Sequence, residues 1–386
     1  ISMIIPVIIE NLLQMIAGIV SMGMIGRIDA LSISALGISM RITQIIWALF
    51  KGITTGATVY VAQYYGAGEI GKVKNVIRQT LISGIVVVLV LQAIVYTQAA
   101  RLLMVFDFGK LGITSMGVRG AAIATVVSQA AAAFTGLCII FGRNGVLRCY
   151  RNKKLFIVDK NQIKDVYRVG LPTSMESIFL QLAAIMLSRA ILTFGETTFA
   201  AHQLGLQAES ISYMPATGFG IVATALIGQA LGAKDKDMAK LYLRQILKGA
   251  LCVTALSVIV LVGFPKVLMS ALTDNQEIIN LSAIYLTLMG LVQFPMNTTG
   301  VLGGAMRGAG YTKVPMMVAG AGLWGVRVPL VLLLTYVFKM SIIAIWVVMC
   351  VDLVFRFCIC LIYYRSKNIY ESRLVKDEGQ NVEVTV

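Results

Sequence analysis

The stretch GITTGATVYVAQYYGA at residues 52–67 returns, changed but aligned without a gap, as GFGIVATALIGQALGA at residues 218–233. Gly52 pairs with Gly218, Ala57-Thr58 with Ala223-Thr224, Gln63 with Gln229 and Gly66-Ala67 with Gly232-Ala233, all at an offset of 166. Working outward, the same offset pairs Pro6 with Pro172, Glu10 with Glu176 and Arg78-Gln79 with Arg244-Gln245, and 17 of 79 aligned positions are identical. Shared apolar composition would give scattered Leu, Ile and Val matches. Rarer Pro, Glu, Gln and Arg at one fixed offset mark an internal duplication.

The solvent of both copies is lipid. Hydrophobic residues make up 58% of the 386, charged residues 13%, and a soluble core could not hide that much apolar surface. Apolar runs long enough to cross a bilayer fall near 1–24, 35–63, 76–106, 117–141, 170–194, 202–232, 241–264, 279–303, 314–338 and 341–364. The expected fold is therefore an all-α, polytopic membrane protein with ten spans, four in the first lobe and six in the second. The net charge of +15 excludes little by itself, but Lys and Arg sit between apolar runs rather than on a basic stripe with interleaved aromatics. Nucleic acid is thus not an expected partner.

Basic loops stay cytoplasmic, which orients the chain. Residues 142–168 carry Arg143, Arg148, Arg151, Lys153, Lys154, Lys160, Lys164 and Arg168, whereas 195–198 and 273–278 carry no Lys or Arg. Residues 142–168 read as a cytoplasmic linker between an N-terminal lobe, 1–141, and a C-terminal lobe, 169–366. Residues 367–386 read as a solvated cytoplasmic tail, with both termini inside. The opening at Ile1, already within an apolar run, reads as the start of a fragment. Six scattered cysteines and the lone His202 offer neither a disulfide framework nor a metal set.

Beyond the first eighty residues the repeat changes register. Gly120-Ala121-Ala122 best matches Ala344-Ile345-Trp346, an offset of 224, which exceeds the earlier 166 by 58. Fifty-eight helical residues are on the order of 87 Å long, enough for two crossings and a loop. The first lobe is expected to lack the counterpart of 279–338, with the junction near Asp107-Phe108. An even number of absent spans preserves the alternation of sides.

Ionisable side chains inside spans are costly, so each needs a partner or a task. Glu10 and Glu176 hold equivalent repeat positions four residues after a proline; they read either as cation-binding carboxylates or as groups satisfied near the headgroups. Glu209 lies seven residues beyond His202 and upstream of Pro215 and Gly218, where a break in the helix would free carbonyls to join it around a cation. Asp352 and Arg356, spaced i, i+4, together with Arg327, read as a structural charge network. Pro215, Pro295 and Pro329 are candidate kinks, the middle one flanked by Gln293 and Asn297. His202 at a helix start reads as a residue making one ordinary hydrogen bond. The 19 methionines suit an adaptable pocket and equally serve as filler.

Several motifs together resemble the multidrug and toxic compound extrusion (MATE) family of secondary transporters. They are Ile5-Pro6 with Glu10, Ala201-His202-Gln203, Met214-Pro215 with Gly218 and Gly220, Gly228-Gln229 with Leu231-Gly232-Ala233, Arg307-Gly308-Ala309-Gly310 with Thr312, and Arg327-Val328-Pro329-Leu330. The resemblance implies twelve helices in two six-helix lobes around a cleft. It also implies a monomer in the plasma or inner membrane, and efflux of small amphipathic, often cationic compounds driven by sodium or proton entry. It implies no enzyme activity and no cofactor beyond the coupling Na+ or H+. Many members carry an Asp in the first helix where this chain has Ser21. The fifth family helix falls in the absent stretch, and 279–303 holds no acid, so the expected coupling or substrate residues are Glu176 and Glu209, with Glu10, Asp352, Asn297 and Gln293 as further candidates. Two other readings are an inactive shortened remnant and a lipid-linked sugar flippase. The flippase would favour a cleft rich in Arg and Lys, and 279–303 contains neither.

Overall fold

The computed structural model describes residues 30–105 and 158–371, together with residues 6, 7, 9, 10, 13, 130, 133, 134, 137, 138, 141 and 374. Long helices dominate: α1 (Ala30–Gly66), α2 (Ile70–Val105), α3 (Lys160–Leu192), α4 (Glu196–Gly232), α5 (Lys236–Gly263), the short α6 (Pro265–Ser270), α7 (Gln276–Leu291) and α8 (Gln293–Gly308). Then come α9 (Lys313–Gly320), a π-helical turn (Ala321–Arg327), α10 (Val328–Leu332), a second π turn (Leu333–Val337) and α11 (Ile342–Ser366). Among the described residues six helical stretches are long and apolar enough to cross a membrane, and seven if α7 and α8 count as one bent span. Large apolar side chains such as Leu256, Leu291, Val337 and Ile362 face outward, as lipid contact requires. The junction near Asp107-Phe108, Ser21, residues 142–157 of the basic segment and most of the runs 1–24 and 117–141 lie outside the described residues.

Helix starts follow from local chemistry. Asp159 accepts from the backbone N–H of Asn161 and Gln162, Asp235 from Met238, and Asn275 from Glu277 and Ile278, each satisfying donors that a first turn leaves free. Because Asp159 caps α3, the helix begins at Lys160, eight residues before the expected linker ends at Arg168.

The duplication is visible in the backbone. Gly68 and Lys234, which are repeat equivalents, both adopt positive φ, 77° and 63°. Each closes the same helix end: Glu69 N bonds Tyr64 O and Gly68 N bonds Tyr65 O, as Asp235 N bonds Ala230 O and Lys234 N bonds Leu231 O. The two equivalent helices, α1 and α4, then cross on each other. A Cβ on Gly66 would lie 1.9 Å from Gln229 O, and one on Gly232 would lie 2.0 Å from Gln63 O, so the crossing needs bare backbone on both sides.

Gln63, fully buried at this seam, donates to Gly308 O at 2.9 Å and accepts from Leu374 N at 2.9 Å. The start of the tail is therefore packed rather than solvated, as its mixed charge suggests it would be. Ile369 is fully buried and Tyr370 nearly so, and the Tyr370 hydroxyl lies 2.8 Å from that of Tyr364. Ile369 and Tyr370 supply apolar surface that the later charged residues conceal in a composition average.

Proline effects differ from expectation at one place. The helix α4 runs unbroken through Pro215, with buried residues along its whole length, so the expected break beside Glu209 is not there. The break comes instead between α7 and α8, which bend by 53° just upstream of Pro295. Pro295 cannot donate to the carbonyl of Leu291, the last residue of α7. Pro329 is the second residue after the π turn that ends at Arg327.

Candidate functional site

A cavity of about 490 Å³ opens inside the second half, and every residue lining it lies between Glu176 and Cys360. Four helices each present one face at 4-3-4 spacing, the interval that keeps side chains on one stripe. Glu176, Leu180, Ala183 and Leu187 come from α3; His202, Leu206, Glu209 and Tyr213 from α4; Met349, Leu353, Arg356 and Cys360 from α11. Met296, Gly300, Gly303 and Arg307 of α8 repeat the pattern, with Tyr285 from α7 and Arg327 from the π turn completing the charged and aromatic wall.

Glu209 is buried and its carboxylate is held at both oxygens. The Tyr285 hydroxyl donates to Oε2 at 2.6 Å and the Gln293 amide to Oε1 at 2.9 Å. Both oxygens of the carboxyl thus act as acceptors. The bend between α7 and α8 lets both donors converge, since Tyr285 precedes it and Gln293 follows it. Tyr285 is clamped by edge contacts with His202, 5.2 Å between ring centroids, and Trp346, 5.4 Å. Two polar atoms near Glu209 lack partners, His202 Nδ1 and Gln293 Oε1, both buried.

The other charges form two groups. Arg307 Nη1 lies 2.9 Å from Glu176 Oε2, both side chains partly exposed to the cavity. Asp352, with no exposed surface, places one oxygen, Oδ2, 2.8 Å from Arg327 Nε and 2.9 Å from Arg356 Nη2. Only the Arg356 contact is also aligned as a hydrogen bond. Asp352 is not part of the cavity wall, whereas Arg327 and Arg356 are. Gly322 makes room for the trio, because a Cβ there would fall 2.3 Å from both Asp352 Oδ1 and Arg356 Cγ.

The sequence candidates are thus sorted. Glu209, Gln293 and Glu176 come together around or beside the cavity, and Asp352, Arg327 and Arg356 form one ionic cluster. Asn297 does not line the cavity; its amide donates to Thr254 Oγ1 at 2.9 Å and Ser212 Oγ at 3.3 Å, tying α8 to α5 and α4. Glu10 is exposed. Tyr285 and Arg307 were not among the expected site residues, and His202, read as an interfacial residue with one bond, is buried against Tyr285. Tyr285 hides within an apolar run, and an ionisable-residue search passes over a neutral phenol.

The MatE family profile matches the chain twice, over residues 6–110 and 172–333. The two matches begin 166 residues apart, and the second is longer by 57 residues, 162 against 105. The probable multidrug resistance protein NorM of Thermotoga maritima is 26% identical over 439 positions, covering 97% of this chain and 93% of that protein. NorM of Brucella suis is 30% identical over 249 residues, 62% of this chain and 52% of that one. Among solved structures, an outward-facing multidrug resistance MATE transporter of the MOP superfamily superposes with a TM-score of 0.81 at 17% identity, covering 94% of each chain. With matches in both halves of a helical, two-lobed membrane fold, the chain belongs to the MatE family of multidrug efflux transporters.

Proposed function

We propose that this chain exports small amphipathic molecules by exchanging them for Na+ or H+ at Glu209, with the two lobes rocking about the seam between α1 and α4. One observation carries the reading: a buried carboxylate, held by Tyr285 and Gln293, in the wall of a 490 Å³ cavity within an apolar bundle. That volume is in the range of drug-sized binding sites. A proton can add to the Glu209 carboxylate, and Na+ can be held by the carboxylate with the unpartnered Gln293 Oε1 beside it. Either ion competes with a positively charged substrate for the same oxygens, which is the requirement for exchange.

The protein is a multi-pass membrane protein, and we place it as a monomer in the plasma or inner membrane with both termini cytoplasmic, on the basic segment 142–168. The first lobe is read as four spans, two fewer than the second. The unequal lengths of the two family matches support this, as does a Thermotoga alignment longer than the 386-residue chain. A flippase of lipid-linked phosphates gains from Arg307, Arg327 and Arg356 in the cavity, against the expectation from 279–303 alone. It loses by the Glu176 and Asp352 carboxylates that partner them.

Reconstitution tests the reading. Proteoliposomes carrying the full chain should move an amphipathic dye when an inward Na+ or H+ gradient is imposed, and Glu209→Gln should abolish the gradient-driven component. Dye movement that ignores both gradients, or that survives Glu209→Gln, would remove the exchange mechanism.

A further inference from the structure

Gln63 is a first-lobe side chain whose two polar ends are both met by backbone from beyond that lobe. Its Nε2 donates to Gly308 O of α8, and its Oε1 accepts from Leu374 N, 311 positions further along the chain, each at 2.9 Å. Leu374 belongs to the segment after α11, and that segment is anchored on the second half. Ile369–Glu371 form one 3₁₀ turn, in which Ile369 and Tyr370 enter a buried apolar cluster with Phe219, Leu243 and Val314. Lys240 of α5 places Nζ 6.0 Å from the centre of the Tyr370 ring. The Leu374 side chain covers Gly310 in the turn after α8, since a Cβ on that glycine would fall 2.8 Å from Leu374 Cγ. The tail therefore leaves α11, is pinned on the second lobe, and ends its described course on a glutamine of the first. Parting the lobes at this end would draw Gln63 from both partners at once. Gly308 also follows directly on Arg307, which pairs with Glu176 in the cavity, so the same last turn of α8 serves the seam and the site.

We infer that the start of the tail is a strap: held on the second lobe by Ile369 and Tyr370, it closes on Gln63 through the Leu374 N–H, keeps the cytoplasmic end of the seam shut, and releases when the cavity opens to that side. The inference rests on the two-lobe rocking and the cytoplasmic placement proposed above. A bond made in one state and broken in the other shifts the balance between them by its own free energy. The strap is such a bond, because the tail travels with the second lobe while Gln63 travels with the first. The fraction of time spent open to the cytoplasm is thus set by the tail as well as by ion and substrate.

The test measures the opening itself. Nitroxides are attached through p-acetylphenylalanine at Tyr65, 57% exposed at the end of α1, and at Asp237, whose side chain is 93% exposed at the start of α5. Pulsed electron resonance on the full chain in lipid nanodiscs then reads the width of this end, and the native cysteines stay untouched. Leu374→Pro has no N–H to donate and should raise the ratio of long-distance to short-distance populations about fivefold, the scale of one neutral hydrogen bond. A truncation before Leu374 should do the same and serves where the proline variant fails to fold. A truncation before Lys376, which keeps Leu374, should match the parent. Unchanged populations in the two proteins that lack the Leu374 N–H would overturn the inference, and so would equal opening by both truncations, which would assign the effect to the charged end of the tail. Gradient-driven dye movement is scored in parallel. If the parent exports dye and loss of the Leu374 N–H leaves the distances unchanged, the strap falls and the exchanger stands; if that loss widens the seam while no sample exports dye, the reverse holds.

Discussion

Gly304 in α8 sets how closely that helix approaches α4, and through it the geometry around Glu209. A Cβ on Gly304 would sit 2.1 Å from Gly220 O, where real Cβ contacts stay beyond 3.0 Å, so Gly304→Ala forces the helices apart by about 0.9 Å, 3.0 less 2.1. The Thr224 hydroxyl bond to Gly304 O, now 2.9 Å, would stretch beyond bonding range. The Gln293 to Glu209 bond, also 2.9 Å and made between the same two helices, would lengthen with it. Forced overpacking costs about 1–3 kcal/mol and a lost hydrogen bond about 1 kcal/mol, so the variant should lose about 2–4 kcal/mol. Gly300, one turn earlier on α8, has nothing within 4 Å of its Cβ position, and Gly300→Ala is the internal control. Thermal unfolding in detergent, followed by size-exclusion chromatography, should show a clear loss for Gly304→Ala and none for Gly300→Ala. Gradient-driven dye efflux should fall in Gly304→Ala; because Gly300 lines the cavity, Gly300→Ala serves as the control for stability alone. A Gly304→Ala protein as stable and active as the parent would refute the claim that bare backbone contact positions the site.

Other perturbations have equally definite outcomes. Asp352→Asn leaves two buried guanidiniums without their anion and should cost about 3–5 kcal/mol, read as loss of monodisperse protein after solubilisation. Tyr285→Phe removes the 2.6 Å bond to Glu209 while keeping the ring between His202 and Trp346, so the fold should survive and affinity for the coupling ion should change by about tenfold or more, measured by ion titration of transport. Gln63→Leu deletes both bonds across the seam and leaves Gly308 O without that donor; it should lower thermal stability by about 1–3 kcal/mol, and a truncation before Leu374, which spares the buried Ile369 and Tyr370, should reproduce only part of that loss.

The parts of this molecule legible in sequence are those with a periodic or repeated signal. The offset of 166 marked the duplication, and the structure gives its equivalents Gly68 and Lys234 the same turn. Hydropathy located six of the runs that the described residues show as membrane-length apolar helices, and Asp352 with Arg356 at i, i+4 announced their bond. What stayed hidden depends on partners distant in the chain. Glu10 and Glu176 are indistinguishable as repeat mates, yet Glu176 meets Arg307 and Glu10 is exposed; on the proposed four-span reading of the first lobe, the stretch that would carry an Arg307 equivalent is the one it lacks. Pro215 and Pro295 look alike in sequence, but only the second coincides with a bend, because tertiary packing decides which missing hydrogen bond becomes a kink. Tyr285 was passed over because its role comes from meeting Glu209, 76 positions away. The 4-3-4 spacing on α3, α4, α8 and α11 could have been read from the sequence, although an apolar stripe alone does not say whether it faces a cavity or a neighbour.

The central claim is that one ion and the substrate compete for Glu209. It is tested most directly by adding saturating substrate to the purified protein in weakly buffered detergent and recording released protons with a pH dye or released Na+ with a sodium-selective probe. Exchange at this carboxylate predicts about one ion released per chain in the parent protein and none in Glu209→Gln, with substrate still bound by the variant. Equal release from both proteins would contradict it.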